Sequence, residues 1–582
     1  MTLSSRSRMS VVLLLVTIVG TFLVNAAFQH PAAHADTPDV LVSNGSHPTP
    51  FPQNKQNEPA LAVDANNPSI LAAGSNDELD LAPCKGSSCP FTQGVGVSGI
   101  YFSFNSGTSW TQPTYTGWSA RSGTPGVGQI GTLPKYFENG LVSDGDPGLA
   151  FGPRPGPGGT FSWSNGERLY YSNLTSNFST VRSEGAFKGF EAIAVSRIDG
   201  QPALTPAIVA DQNNWMAPVV ISKQSSTTFS DKEQIWADNA SSSPFFGNVY
   251  VCWASFRGQE KGHGTPAPLI VATSTDGGNT WTQKQVTAAA NNGQIQPLDG
   301  CTIRTDSQGN VSVFGIGTDP STKEHFEYLV RSTDGGQSWS RPIQIPGAVT
   351  HPGEFDPVQG RLVEDGIAGA RNDLTWAPSV DIANGAPTGS DATNRLVLTY
   401  VSGTTAAPHV VLRESTDGGN TWSAPRNIET GPSDFGYYTA PAISPNGSDV
   451  YVVYNAFTTP FQTTTSTPRS LVGVVLHADV VAGGTGAFTE IHRGLPGDPR
   501  GSSANSLISE FLGDYVYAVA TRTYGAAVWN DVRNAADCPK IDAYRMSLQT
   551  GGSVTKPAPN VVCPTGFGNS DIFGGSYLDP TP

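Results

Sequence analysis

The chain has 582 residues, of which only 14% are charged, and a net charge of −15 that argues against nucleic acid or anionic lipid as partners. Its 65 glycines and 45 prolines fit many short strands and turns rather than long helices. After the amino-terminal segment no run of 18 apolar residues exists, so no later membrane span is expected.

The chain opens with a targeting pattern. Arg6 and Arg8 precede an apolar run over 11–24, and Ala33-His34-Ala35 offers a small-residue cleavage site before Asp36. This predicts a secretory signal peptide over 1–35, with an uncleaved anchor as the rival reading. The mature protein is then expected to be secreted, extracellular, monomeric and without membrane contact after cleavage. Six cysteines in such a chain suggest disulfides, paired as Cys84–Cys89, Cys252–Cys301 and Cys538–Cys563.

From residue 57 onward one unit recurs. NEPALAV (57–63), GDPGLAF (145–151), DKEQIWA (231–237), LDGCTIR (298–304), WAPSVDI (376–382), TAPAISP (439–445) and LGDYVYA (512–518) each join a polar or Pro-containing start to alternating small and apolar residues. A second strand is predicted after most of them: 249–256, 311–317, 395–402, 450–457 and 525–531. Three near-identical octapeptides come next, STDGGNTW (274–281), STDGGQSW (332–339) and STDGGNTW (415–422). Each reads as strand, tight turn, strand, with Asp276, Asp334 and Asp417 accepting backbone N–H groups, Gly-Gly supplying positive φ, and a buried Trp starting the next strand. SFNSGTSW (103–110) is a weaker copy with Asn105 in the Asp position, and 478–488, with Asp479, a doubtful one. The longer gap between Asp334 and Asp417 predicts an insertion within 345–372. The last unit is read as strands at DYVYAVA, GAAVWND and IDAYRMS, completed by DVLVS (39–43).

The octapeptides resemble the Asp-box, or bacterial neuraminidase repeat, that marks blades of sialidase-like β-propellers. The resemblance implies an all-β propeller over 36–548. Seven first strands favour seven blades, and the family's six is the alternative. The Gly/Pro-rich stretch 549–582 is expected to pack on the last blade as an extension.

First strands of a propeller face its axis, so the loops leading into them rim one mouth. That places Glu58, Asp144, Asp146, Asp231, Glu233, Asp299, Arg371, Asp373, Tyr437, Tyr438, Glu510 and Asp514 there, either capping their own turns or facing the mouth as a site for sugar hydroxyls, a cation or acid–base chemistry. The segment 510–534, which resembles the closing blade of secreted exo-sialidase-like proteins, adds Tyr515, Arg522, Trp529, Asp531 and Arg533. The candidate catalytic set is Glu58, Asp146, Glu233, Asp514, Tyr515, Arg522 and Asp531. Sialidases use three arginines, a Tyr nucleophile activated by a Glu, and an Asp acid/base. Their F/Y-R-I-P motif is missing here, where the sequence reads NEPAL; Arg304, Arg371, Arg522 and Arg533 are the arginines left to fill the role. The resemblance implies an exo-glycosidase acting on a glycan or glycoconjugate; the alternative is a non-catalytic propeller that binds glycans or surface proteins. No cofactor is required, and structural calcium held by dispersed carboxylates is left open.

Overall fold

A computed structural model describes residues 39–582 except 48, 223–224, 258–266, 290–298 and 367. The segment 1–35, predicted as a signal peptide, lies outside the described residues. No helix among the described residues is long and apolar enough to cross a membrane.

Nine antiparallel sheets form among the described residues, and seven of them follow one another along the chain, the other two being small sheets inserted between them. Their first strands are Gln56–Val63, Gly148–Pro153, Thr228–Ala237, Asp299–Thr305, Ser379–Ile382, Phe435–Ile443 and Tyr517–Ala520. Second strands such as Val249–Arg257 (VYVCWASFR) and Asp449–Phe457 (DVYVVYNAF) are β-branched and aromatic, and almost every residue in them is buried. A sheet packed on both faces needs such continuous apolar strands. The outermost strands are short and wet, as Thr282–Gln285 shows.

Apolar side chains fill each space between consecutive sheets. Phe102 meets Leu149 and Tyr171 between the first and second; Val195 meets Ile235 and Trp253 in the next space; Val271 meets Ile303 and Val313 in the third. Phe314 meets Val380 and Leu398, Leu412 meets Val452 and Val474, and Val475 meets Ala527 and Trp529. The seventh sheet then closes on the first through Val528 and Ile572 against Leu61, Leu71 and Tyr101. The sheets therefore form a ring with no free first or last member.

Closure uses both chain ends. Val40–Leu41 pairs with Asp571–Leu578, which pairs with Tyr524–Asp531 and so with Tyr517–Ala520. This corrects two expectations. IDAYRMS (541–547) is not a strand but part of a helix, Pro539–Gln549, started by a proline at its first turn. Ile541, Asp542 and Arg545 are all buried: the i, i+1, i+4 spacing suits one helix face, and the adjacent buried pair breaks strand alternation. The third strand is instead Asp571–Leu578, so the stretch 549–582 is partly a strand of the ring and not only a packed extension.

All three cysteine pairs are disulfides. Cys252–Cys301 ties the second strand of the third sheet to the first strand of the fourth. Each octapeptide forms the expected turn. Asp276 Oδ1 accepts from Thr280 N at 2.9 Å, Asp334 Oδ1 from Ser338 N at 2.8 Å and Asp417 Oδ1 from Thr421 N at 2.9 Å. Trp281, Trp339 and Trp422 are half-buried rather than buried, each indole N–H donating to a glycine carbonyl of its own turn. The insertion after the fourth sheet carries a small sheet of Glu354–Asp356, Arg361–Glu364 and Ala370–Arg371.

Candidate functional site

The leading ends of the first strands share one local device. The register breaks between Asn57 and Ala60, between Asp231 and Gln234, between Asp299 and Thr302, and between Gly436 and Tyr438. Such bulges insert a residue and re-aim its side chain. The backbone at Glu58 (φ 56°), Lys232 (φ 61°) and Gly300 (φ 58°) is left-handed, as it is at Asp146 (φ 51°) just before its strand. Positive φ costs a non-glycine residue of order 1–3 kcal/mol, and such strain persists where the surroundings fix it, often at functional sites. Here it brings Glu58, Asp146 and Lys232 to the same place from three sheets.

Two cations tie that place together. Lys232 Nζ lies 2.7 Å from Asp514 Oδ2, 3.1 Å from Asp146 Oδ2 and 3.9 Å from Asp231 Oδ1. Arg371, delivered by the insertion, sits 2.5 Å from Asp514 Oδ2 and 2.9 Å from Glu58 Oε1. Tyr438 donates to Asp514 Oδ1 at 3.0 Å, and Asn76 to Glu58 Oε2 at 2.8 Å. Gly513 makes this packing fit: a Cβ there would stand 2.4 Å from Glu58 Cγ. Glu58 and Asp514 are buried, whereas the side chains of Lys232 and Arg371 keep 12% and 22% of their surface exposed.

The carboxyls divide by protonation. Burial, then repulsion from Asp146, pushes Glu58 well above the usual carboxylate range. Burial also acts on Asp146, but Lys232 and a hydrogen bond from Glu58 hold it below its ordinary value. Asp514 is likewise held low against its burial by Arg371 and Lys232. Burial pushes Asp231 up to about 7; Lys232 moderates the rise while Asp146 and Asp299 add to it. Lys232, despite burial, is held well above its usual range by Asp146, Asp231 and Asp514. The result is a protonated carboxyl against an ionised one, with a second proton-holding carboxyl at the rim.

Of the residues singled out from sequence, Glu58, Asp146 and Asp514 meet in this cluster. Tyr515 stands beside it, its ring centroid 5.5 Å from Lys232 Nζ. Glu233 follows Lys232 but is buried, with neither carboxylate oxygen bonded to another residue, and is held protonated by burial and by Asp146. Arg522 is elsewhere, paired with Asp391 at 2.8 Å and donating to Ala386 O. Asp531 is paired with Arg533 at 2.6 Å, outside the cluster. Glu510 pairs with Arg469, and Asp373 with Arg361. Lys232, Asn76 and Asn530, whose Oδ1 accepts from Glu58 N, were not singled out. Aligning Glu58, Asp146, Lys232 and Gly300 three residues before Leu61, Leu149, Ile235 and Ile303 would have found the lysine.

No protein-family model matches the chain, and no curated protein matches it. Among solved structures it is similar to the intramolecular trans-sialidase from Ruminococcus gnavus in complex with oseltamivir carboxylate, at 12% identity and a TM-score of 0.39 over 72% of this chain and 94% of that one. It is also similar to Trypanosoma rangeli sialidase in complex with sialic acid, at 12% identity and 0.37 over 87% and 73%. An α-L-arabinofuranosidase from Fusarium graminearum aligns at 10% identity and 0.36 over 72% and 93%. Likeness at this level assigns no residue and no activity to the present chain.

Proposed function

We propose that the protein is a secreted, sialidase-like propeller of seven blades, one per sheet of the ring, whose mouth at the leading ends takes a carbohydrate. Lys232 and Arg371 offer their exposed edges to an acidic group or hydroxyls of a glycan, and Asp231 serves as proton donor for glycoside hydrolysis. The observation that carries this reading is the pairing of two part-exposed axial cations with a rim carboxyl held up to about 7, near the pH at which a general acid works best.

A second reading, non-catalytic glycan binding, is favoured by the occupancy of Asp514. Its oxygens accept from Lys232, Arg371 and Tyr438, which leaves it poorly placed to act as a nucleophile or base. Tyr437 and Tyr438 are both pushed well above the usual phenol range by burial, so neither is an activated nucleophile. A glycan array run beside a panel of chromogenic glycosides separates the two. Hydrolysis lost in Asp231→Asn with binding retained supports the enzyme. Binding that Lys232→Met abolishes, without hydrolysis of any glycoside, supports the binder. Failure to bind or cleave any glycan overturns both.

A further inference from the structure

A second cluster lies at the seam between the sixth and seventh sheets, separate from the axial residues. Asp449 opens the strand Asp449–Phe457 and is paired in register with Asp479 on Leu471–Val481, while Tyr451 is paired with His477. The two-residue spacing on each strand puts all four side chains on one face. Asp579, just past the strand Asp571–Leu578 of the seventh sheet, joins them. One ligand atom from each of Asp449, His477, Asp479 and Asp579 lies within 4.8 Å of all the others. His477 Nε2 is 3.2 Å from Asp449 Oδ1 and 3.9 Å from an oxygen of both Asp479 and Asp579.

An independent observation points to a ligand there. Tyr451 is 1% exposed and its ring centroid is 4.8 Å from that of His477; its hydroxyl oxygen meets the Gly525 backbone N–H, but no described residue accepts the hydroxyl's own proton. Gly525 fixes the ring in place, since a Cβ there would approach it to 2.4 Å. A buried hydroxyl whose proton has no acceptor, beside three carboxylates, asks for a group that can serve both. Outer hydrogen bonds already orient the carboxylates: the Thr581 hydroxyl donates to Asp479 and its backbone N–H to Asp579, and the Ser448 hydroxyl donates to Asp449.

We propose that Asp449, His477, Asp479 and Asp579 bind one divalent transition-metal ion of the zinc class, which pins the tail of the seventh sheet to the sixth. Three carboxylates alone would suit calcium or magnesium; the imidazole shifts the preference to a transition metal. A water on the ion would give the Tyr451 hydroxyl proton its acceptor. The Asp479 side chain, 47% exposed, leaves a path for the ion to enter.

The test uses the mature secreted chain, stripped with EDTA, returned to chelator-free buffer and titrated with zinc chloride. The expected result is one zinc per chain by elemental analysis after gel filtration, and a melting temperature raised by several degrees. Asp479→Ala, a substitution at an exposed position that leaves the fold intact, should weaken zinc binding at least about tenfold, and Asp579→Asn should do the same. Calcium chloride should bind more weakly than zinc. Absence of stoichiometric zinc, an affinity unchanged in both variants, or calcium binding as tightly as zinc would each overturn the proposal.

Discussion

The two ends of the seven first strands meet different fates. At the leading ends bulges and left-handed residues turn Glu58, Asp146 and Lys232 inward, and the space that remains beside Lys232, Tyr438, Asp514 and Tyr515 is only about 50 Å³. At the far ends the ladders are regular, and a cavity of about 210 Å³ remains among Ala62, Phe151, Trp236, Ile382, Tyr517 and Arg522. Arginines there stay at the wall: Arg304 stacks 4.5 Å from the Trp236 ring and pairs with Asp381, and Arg522 pairs with Asp391. The same strands thus line one end with charge around a small pocket and leave a larger cavity at the other. The difference comes from backbone register, not from composition.

Substituting one cation at each end gives the sharpest contrast. Lys232→Met leaves Asp146 and Asp514 buried without their shared counter-ion, a loss of about 3–5 kcal/mol. Arg522→Met breaks a pair whose side chains are 36% and 43% exposed and costs less than about 1 kcal/mol. Urea unfolding of both variants checks this, and equal losses would erase the contrast.

Covalent ties differ as well. Cys252–Cys301 closes a separation of 49 residues at the leading end, while Cys84–Cys89 closes only 5 in a satellite apolar cluster with Phe51 and Phe567. Chain-closure entropy predicts losses of about 4 and about 2 kcal/mol for the two double Cys→Ala variants. Thermal melts of the pair decide it, and a larger loss at Cys84–Cys89 would show that native-state packing, not chain entropy, governs these bonds.

The ring was legible because its signals are local. Alternation marked the first and second strands to within a few residues, and the Asp-Gly-Gly turns announced their own geometry. IDAYRMS misled because a seven-residue amphipathic stretch fits helix or strand, and only Pro539 ahead of it tipped the balance. The axial cluster was half legible. Glu58, Asp146 and Asp514 were visible as carboxylates before first strands, but Lys232 was passed over between two acids. Which residue a bulge turns inward depends on a one-residue register shift that composition does not show. Arg371 was visible in sequence, yet its reach to the axis depends on the insertion's small sheet.

The two populations of carboxylates also set opposite pH limits. Glu510, pushed up to about 8 by burial despite Arg469 and Arg545, and Asp231, up to about 7, have folded values above their unfolded ones. Their contribution is complete below about pH 4 and is lost as pH rises through 7 to 8. Asp334 and Asp417, held at about 2 chiefly by hydrogen bonds from Ser338 and Thr421, act in the other sense. Theirs is present above about pH 4 and lost as pH falls through 2. The melting temperature should therefore peak on the mildly acidic side, and Glu510→Gln should match the wild type near pH 4 but fall less as pH rises from about 4 to about 8. A wild-type maximum above pH 8 would contradict the assignment of protonated carboxyls to the interior.

The smallest effect contrasts the rim with the axis. In the turn at 103–110 Asn105 stands where the other copies have Asp, and it reproduces most of their pattern: Oδ1 accepts from Ser103 Oγ and Ser109 N, both at 3.0 Å. Its amide, however, donates to Ser109 Oγ, whereas Asp417 Oδ2 accepts from the matching Thr421 hydroxyl. A carboxylate at this solvent-facing position carries little desolvation cost and would convert those bonds to charge-assisted ones, the hydroxyl of Ser109 simply rotating to donate. Asn105→Asp should therefore raise the melting temperature by about a degree or two, and Asp417→Ala should lower it by about 2–4 °C. Differential scanning calorimetry at pH 6 resolves shifts of this size. A fall in Asn105→Asp would mean that the amide, not the carboxylate, is what this copy of the turn requires.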